Sequence, residues 1–304
     1  MELTIKNLEN CTLCPRSCGV NRLAGGKGYC GASGDKVDIA LVSLHPWEEP
    51  CIAGKNGAGT VFFSHCSLRC VFCQNSEISS EGKGIAVDTA RLAEIFLEQQ
   101  RRGAATLDLV TPTHYAPQIA EALREAKKVG LTIPVVWNSG GYETEELVEA
   151  LSGLVDVYLP DLKYIDSDSA ARYSNAKDYF THAEKALRAM VSRTGEPRMD
   201  ADGVMRKGVL VRHLVLPGRR KESMRIIDWL WESFGDKVWL SLMNQYTPLY
   251  HAKDYKEINR TLTTFEYESV VDHAAELGIE HCYVQEGKTA SAKFVPAFDG
   301  RGVL

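Results

Sequence analysis

The stretch HCSLRCVFCQN, residues 65–75, sets three thiols close together at Cys66, Cys70 and Cys73. Three is awkward: a structural zinc site takes four ligands and a disulfide takes two. Thiolates also favour iron–sulfur clusters. If three cysteines hold three irons of a cubic 4Fe–4S cluster, the fourth iron stays open to a ligand, as a catalytic zinc keeps a free position. The spacing alone leaves another option, a zinc knuckle completed by a distant ligand such as His65.

Working outward, the stretch follows the first of six β-rich segments: TVFFS (60–64), TLDLV (106–110), IPVVWN (133–138), VDVYLPD (155–161), VLVRHLV (209–215) and KVWLSLM (237–243). Several are near-continuous apolar runs, as in strands buried on both faces of a parallel sheet. Helical patterns lie between them. DTARLAEIFLEQQRRG places Leu92, Ile95 and Phe96 on one face behind an Asp88 or Thr89 cap, and ESMRIIDWLWESFG does the same with Met224, Ile227, Leu230, Trp231 and Phe234. HYAPQIAEALREAKKVG ends on Gly130, a C-cap signal.

Six strand–helix units predict a parallel sheet with right-handed crossovers, two short of a closed barrel. The expected fold is therefore α/β, a partial (β/α)6 TIM-type barrel with an open wall. A small Cys-rich metal-binding module (1–57) precedes the barrel (58–285), and a C-terminal tail (286–304) follows. In such folds the chemistry sits at the C-terminal ends of the strands.

The chain has 304 residues, 44% hydrophobic composition and a net charge of -5, from 40 acidic and 35 basic side chains. It can bury a large core, and its charge argues against nucleic-acid binding. No apolar run reaches the ~20 residues needed to span a bilayer, and MELTIKNLENCTLC does not read as a signal peptide. A soluble cytoplasmic enzyme with no membrane partner is expected. In a reducing compartment its nine cysteines read as metal ligands or catalytic thiols.

Seven of the nine cysteines fall in two clusters. The second cluster, CTLCPRSCGVNRLAGGKGYCG, has Cys11, Cys14, Cys18 and Cys30 at C-x2-C-x3-C-x11-C. Four thiolates complete either a tetrahedral zinc or a fully ligated second 4Fe–4S cluster. Cys51 and Cys282 stand alone and read as small buried hydrophobes. His45, His182, His251, His273 and His281 have no partner at ligand spacing, and GRRKES (218–223) reads as a solvated helix start.

The C-x3-C-x2-C loop after a barrel strand resembles the signature of the radical S-adenosylmethionine enzymes, over roughly residues 58–285. The resemblance implies that the open iron binds the amino and carboxylate groups of S-adenosylmethionine. The reduced cluster then cleaves the sulfonium to methionine and a 5′-deoxyadenosyl radical that abstracts hydrogen. Phe72 stands where that family has an aromatic residue near the adenine. No side chain beyond the cluster is assigned a catalytic role.

Within the family, GAGTVFFSHCSLRCVFCQN is similar to the entry of the glycyl-radical-enzyme activases, the pyruvate formate-lyase activating enzyme-related branch. PDLKY (160–164) is similar to their "DLK", which places Asp161 and Lys163 at the cofactor carboxylate. VRHLVLPG (211–218) is similar to "R-x-x-V-x-P-G", which adds Arg212, and WNSGGYE (137–143) to "N-x-G", which adds Asn138 and Ser139. A fixed cation near a carboxylate makes physical sense of Lys163 and Arg212. Where the branch has an acidic turn, this chain has VTPTHY (110–115), leaving Thr111, Thr113 and His114 as possible cofactor contacts. There is no ferredoxin-like insert after Cys73. SLMNQYTP (241–248) and YVQEG (283–287), the latter after a further expected strand, add Asn244, Gln245, Tyr246 and Gln285 at the mouth.

The resemblance implies an activase with a glycyl radical enzyme as protein substrate and a flavodoxin or ferredoxin as electron donor. Radical modification of a small molecule, a peptide or an RNA is one alternative. A non-catalytic zinc-binding scaffold is another.

Overall fold

The structure is a computed structural model in which residues 2–285 and 296–304 are described. Ten strands form one sheet: β1 (Val37–His45), β2 (Ala58–Phe63), β3 (Ile85–Val87), β4 (Leu107–Val110), β5 (Val135–Ser139), β6 (Val157–Pro160), β7 (Arg198–Met199), β8 (Met205–Leu214), β9 (Trp239–Met243) and β10 (Cys282–Val284). Their spatial order is β10-β9-β8-β6-β5-β4-β2-β1-β3, with β7 paired to β8. From β2 to β10 every neighbour along this path is parallel. The six predicted strands are β2, β4, β5, β6, β8 and β9, and β10 is the further strand expected before Gln285. The fold is the open α/β barrel that the alternation predicts.

The helices are α1 (Pro50–Ala53), α2 (Ser76–Ser79), α3 (Thr89–Arg101), α4 (Ala116–Lys128), α5 (Glu145–Ala150), α6 (Ser167–Ser174), α7 (Tyr179–Thr194), α8 (Arg220–Phe234) and α9 (Thr264–Glu276). In α3 the Asp88 side chain accepts from the Arg91 N–H at 2.8 Å, a cap that stabilises the helix by about 1 kcal/mol. Leu92, Ile95 and Phe96 are fully buried beneath it, each contributing about 1.5–3 kcal/mol through area removed from water. Gly130 follows α4 at φ +109, the conformation its C-cap role requires. In α8 the buried stripe is Ile226, Ile227, Leu230 and Phe234; Met224 and Trp231 sit at its half-exposed margin.

Three strands have no counterpart in the expectations, the short β3 and β7 and the nine-residue β1. β1, VDIALVSLH, pairs antiparallel with β2 and, at its start, with β3. The cysteine and glycine density of residues 1–57 masked this apolar run. The segment before it holds a single four-residue 3-10 turn, Ile5–Leu8, and buries Leu3, Leu8 and Leu13 in the main core. Of the expected C-terminal tail, residues 286–295 lie outside the described residues. Residues 298–303 run back along β1, where Val42 N–H donates to Arg301 O at 2.9 Å and Gly300 N–H to Ala40 O at 3.0 Å. No helix among the described residues is long and apolar enough to cross a membrane.

Candidate active site

The loop leaving β2 coils tightly. His65 and Arg69 take positive φ (75° and 54°), uncommon for side chains of their size and a mark of a constrained loop. The Cys73 N–H closes a turn onto Cys70 O at 3.1 Å, and Val71 N–H is tied to Tyr173 O at the end of α6 at 2.9 Å. Each thiol has a hydrogen-bond partner. Leu68 N–H donates to Cys66 Sγ at 3.3 Å, Ser174 Oγ–H to Cys70 Sγ at 3.0 Å, and Cys73 Sγ shares a bond with Ser79 Oγ at 3.3 Å. Burial pushes the Cys70 thiol up to about 12, with Lys163 pulling the other way.

All three cysteines line one cavity of about 440 Å3 at the C-terminal ends of the parallel strands. Phe72, Thr111, Asn138, Ser139, Asp161, Lys163, Arg212 and Gln245 line the same cavity, as do Tyr246 and Gln285. Phe72 is buried, edge-on to Tyr246 with centroids 5.8 Å apart. Thr111 holds φ +60 at the end of β4, a strained choice for a β-branched residue, and its N–H donates to Asn138 O at 2.8 Å.

The charged groups form one network. Lys163 Nζ meets Asp161 Oδ2 at 2.6 Å and Arg212 Nε meets Asp161 Oδ1 at 3.0 Å. Arg212 also reaches Glu48 Oε2 at 3.3 Å and Asn138 Oδ1 at 2.6 Å. Burial would raise the Asp161 pKa, but Lys163 and then Arg212 outweigh it and hold the carboxylate below its ordinary range. Burial opposes the charge on Lys163, and Asp161 more than restores it, so the ammonium titrates above its usual range. Arg212 is thus engaged by three protein groups. Lys163 gives one N–H of three to Asp161 and lies within electrostatic reach of Cys70.

Two expected contacts point elsewhere. Thr113 Oγ donates to Glu143 Oε1 at 3.0 Å, a buried carboxylate that also receives Trp137 Nε1 at 2.6 Å and Ser139 Oγ at 2.9 Å. His114 is buried, with Nε2 2.8 Å from Ser64 O. Neither borders the cavity. His65, the ligand a zinc knuckle would need, pairs with Asp38 at 3.3 Å. Asn244 is turned to Gln285, its N–H donating to Gln285 Oε1 at 2.9 Å.

Other residues at the site were not expected. Glu48, from HPWEEP after β1, lines the cavity. Asp108 is fully buried in β4, with Oδ2 3.4 Å from both Thr60 Oγ1 and Asn138 Nδ2. An acid inside the apolar run TLDLV was a signal available for it. Ser174 carried none, since only the fold brings it to Cys70. The isolated cysteines behave as expected for Cys51, which is buried, while Cys282 is only half-buried. Of the unassigned histidines, His45 borders the cavity, His182, His251 and His273 pair with aspartates, and His281 stacks on Trp239.

Residues 60–230, more than half of the chain, match the radical SAM superfamily. The chain belongs to the radical SAM superfamily. It is 30% identical, over 93% of its own length and 79% of the other's, to an uncharacterized protein of Methanocaldococcus jannaschii. Among solved structures it is similar to SuiB of Streptococcus suis bound to the precursor peptide SuiA, with a TM-score of 0.50 at 13% identity over 75% of this chain. It spans 48% of that protein, about half its length. Methylornithine synthase (PylB) aligns with a TM-score of 0.48 at 12% identity, over 74% of this chain and 72% of that one.

Membership implies a 4Fe–4S cluster and S-adenosylmethionine, and the residues present fit both. Three thiols on one loop, with polar hydrogens aimed at their sulfurs, are the donor set of a cluster with an open iron. Among the described residues no group of three or more His, Cys, Asp and Glu side chains is arranged to hold one metal ion. The cavity beside the thiols offers a cation, amide oxygens and an aromatic wall to a zwitterionic nucleoside.

Proposed function

We propose that this chain cleaves S-adenosylmethionine reductively and directs the resulting radical at a glycine of a partner enzyme, as the glycyl-radical-enzyme activases do. The observation that supports it most is the single cavity in which Cys66, Cys70 and Cys73 meet Phe72, Asn138, Asp161 and Lys163. The activase branch is supported by PDLKY, VRHLVLPG and WNSGGYE, whose side chains come together there.

When bound, the reduced cluster and S-adenosylmethionine supply one electron and a primary carbon radical that takes hydrogen. The chain's own residues do the positioning. Cys66, Cys70 and Cys73, all on the cavity wall, would hold three irons of the cluster. Lys163, kept charged by Asp161, presents N–H donors to a carboxylate beside Cys70. Arg212 braces Asp161 and Asn138, so that neither swings when the ligand arrives. Phe72 and Tyr246 form an apolar wall that keeps water from the reacting carbon.

The test is 5′-deoxyadenosine formation by the anaerobically reconstituted protein with dithionite. The native chain should form it, and the Cys66/Cys70/Cys73→Ala protein should not. A glycyl radical signal in a co-expressed partner, seen by electron paramagnetic resonance, would support the activase reading. Turnover without that signal in any partner would move the radical to a small molecule, a peptide or an RNA.

A further inference from the structure

The N-terminal thiols are built into the wall of the radical site. Arg16, between Cys14 and Cys18, donates Nε to Ser67 O at 2.9 Å and Nη2 to Ser174 O at 3.1 Å. Ser174 is the residue whose hydroxyl binds Cys70 Sγ. In return Arg69, beside Cys70, donates Nη2 to Cys30 O at 3.2 Å. Each ligand loop therefore reaches into the other. One hydrogen bond and one residue separate Cys30 from Cys70. Gly31 lets the contact close: a Cβ there would stand 3.1 Å from Arg69 Nη2 and 3.3 Å from His65 Nδ1.

The loop that carries the four thiols folds back on itself, Cys11 N–H donating to Val20 O at 3.0 Å and Gly19 N–H to Cys11 O at 3.0 Å. Two of their sulfurs receive N–H donors, Cys18 from Tyr29 N–H at 3.3 Å and Cys11 from Arg22 Nη1 at 3.9 Å. Cys18 is exposed, whereas Cys70 is buried. Four cysteine thiolates can close either a tetrahedral zinc or a fully ligated 4Fe–4S cluster, and the metal content distinguishes the two.

We infer that Cys11, Cys14, Cys18 and Cys30 hold a second, fully ligated 4Fe–4S cluster that relays electrons to the cluster at Cys66, Cys70 and Cys73. The inference rests on the radical function proposed above. A one-electron donor of flavodoxin or ferredoxin type reduces the outer cluster at the exposed Cys18 side. The same electron passes across the Cys30–Arg69 contact to the inner cluster, and the outer one returns to its oxidised state. One electron enters, one leaves, and no bond or proton changes place.

Metal analysis of the full chain, purified without oxygen, decides the site. The expected content is about eight irons and no zinc per chain, falling to about four in the Cys11/Cys14/Cys18/Cys30→Ser protein. One zinc with four irons in the native chain overturns the inference but leaves the barrel cluster standing. Full iron retention in the Cys66/Cys70/Cys73→Ala protein would instead overturn the radical function beneath it.

The relay is tested by rate. With reduced flavodoxin as donor the quadruple variant should form 5′-deoxyadenosine at least about tenfold more slowly, the scale on which changes around a metal site act, while keeping its dithionite rate. Where that variant does not fold, Arg16→Met with Arg69→Met keeps all seven thiols. Rapid-freeze spectra should then show eight irons but slower reduction of the inner cluster. An unchanged rate in either variant overturns the relay.

Discussion

The two cysteine segments are held by opposite means. Residues 66–73 leave the end of β2, a strand buried along its whole length between β1 and β4, so the sheet aims the thiols before any metal arrives. Residues 11–30 contain no strand or α-helix. They are closed by short backbone bonds such as Gly19 N–H to Cys11 O at 3.0 Å and Ser17 N–H to Cys14 O at 2.9 Å. Arg22 ties them to the barrel by donating to His114 O at 2.6 Å. A site on a parallel sheet borrows its order from the core, whereas a site on turns depends more on what it binds.

Removing metal should therefore split the molecule. In chelated protein, amide exchange should lose protection across residues 11–30 while β2, β4, β5 and β6 keep theirs. Uniform loss would erase the contrast. The largest single effect should come from Cys70→Ala, which abolishes 5′-deoxyadenosine formation but leaves the far-ultraviolet circular dichroism of the native fold. Asp161→Ala comes next. It strands two buried cations, Lys163 and Arg212, and should cost about 3 kcal/mol in urea unfolding. A change below about 1 kcal/mol would mean that the pair is solvent-screened despite its burial.

Ser174→Ala removes the hydrogen bond to the Cys70 sulfur and, with it, the partner of the buried Tyr164 hydroxyl. It should weaken cluster retention about tenfold and move its potential to more negative values, read by potentiometric titration. An unmoved potential would show that the hydroxyl is only a packing group.

The mildest effect should be that of acid. Burial lowers the pKa of His114 to about 3 and of His213 to about 4, from an ordinary value near ~6.5. The folded protein keeps both rings neutral where the unfolded chain takes up protons. Their contribution is thus complete above about pH 6.5 and drains as pH falls toward 4. Urea midpoints of metal-free protein should fall across that interval, less steeply in His213→Asn. A flat profile would contradict the burial argument.

Much of this was legible because it is periodic or local. Buried strands read as apolar runs, and the helix stripes follow from 3.6-residue spacing. Family motifs placed Lys163, Asp161 and Asn138 at strand ends. What stayed hidden depends on distance along the chain. Arg212 reads as a free cation for a ligand, yet Glu48, 164 residues away, takes part of its charge. Ser174 lies 104 residues from the sulfur it binds. Thr113 and His114, next to Thr111, turn from the cavity because a 3-10 turn, Thr113–Tyr115, rotates them inward. β1 was lost for a different reason, since the composition of the cysteine-rich segment outweighed nine apolar-rich residues within it.

Residues 298–303 bear on how the protein behaves at high concentration. β3 pairs only with the first part of β1, at Val37, Asp38 and Ile39, so the backbone from Ala40 onward would otherwise offer open hydrogen-bonding groups. Such an edge recruits strands from other molecules. The bonds at Ala40 and Val42, with Phe298 packed 5.6 Å from Phe62, occupy it. The chain thereby covers with its own residues 298–303 a sheet edge that would otherwise be open to strands of other molecules.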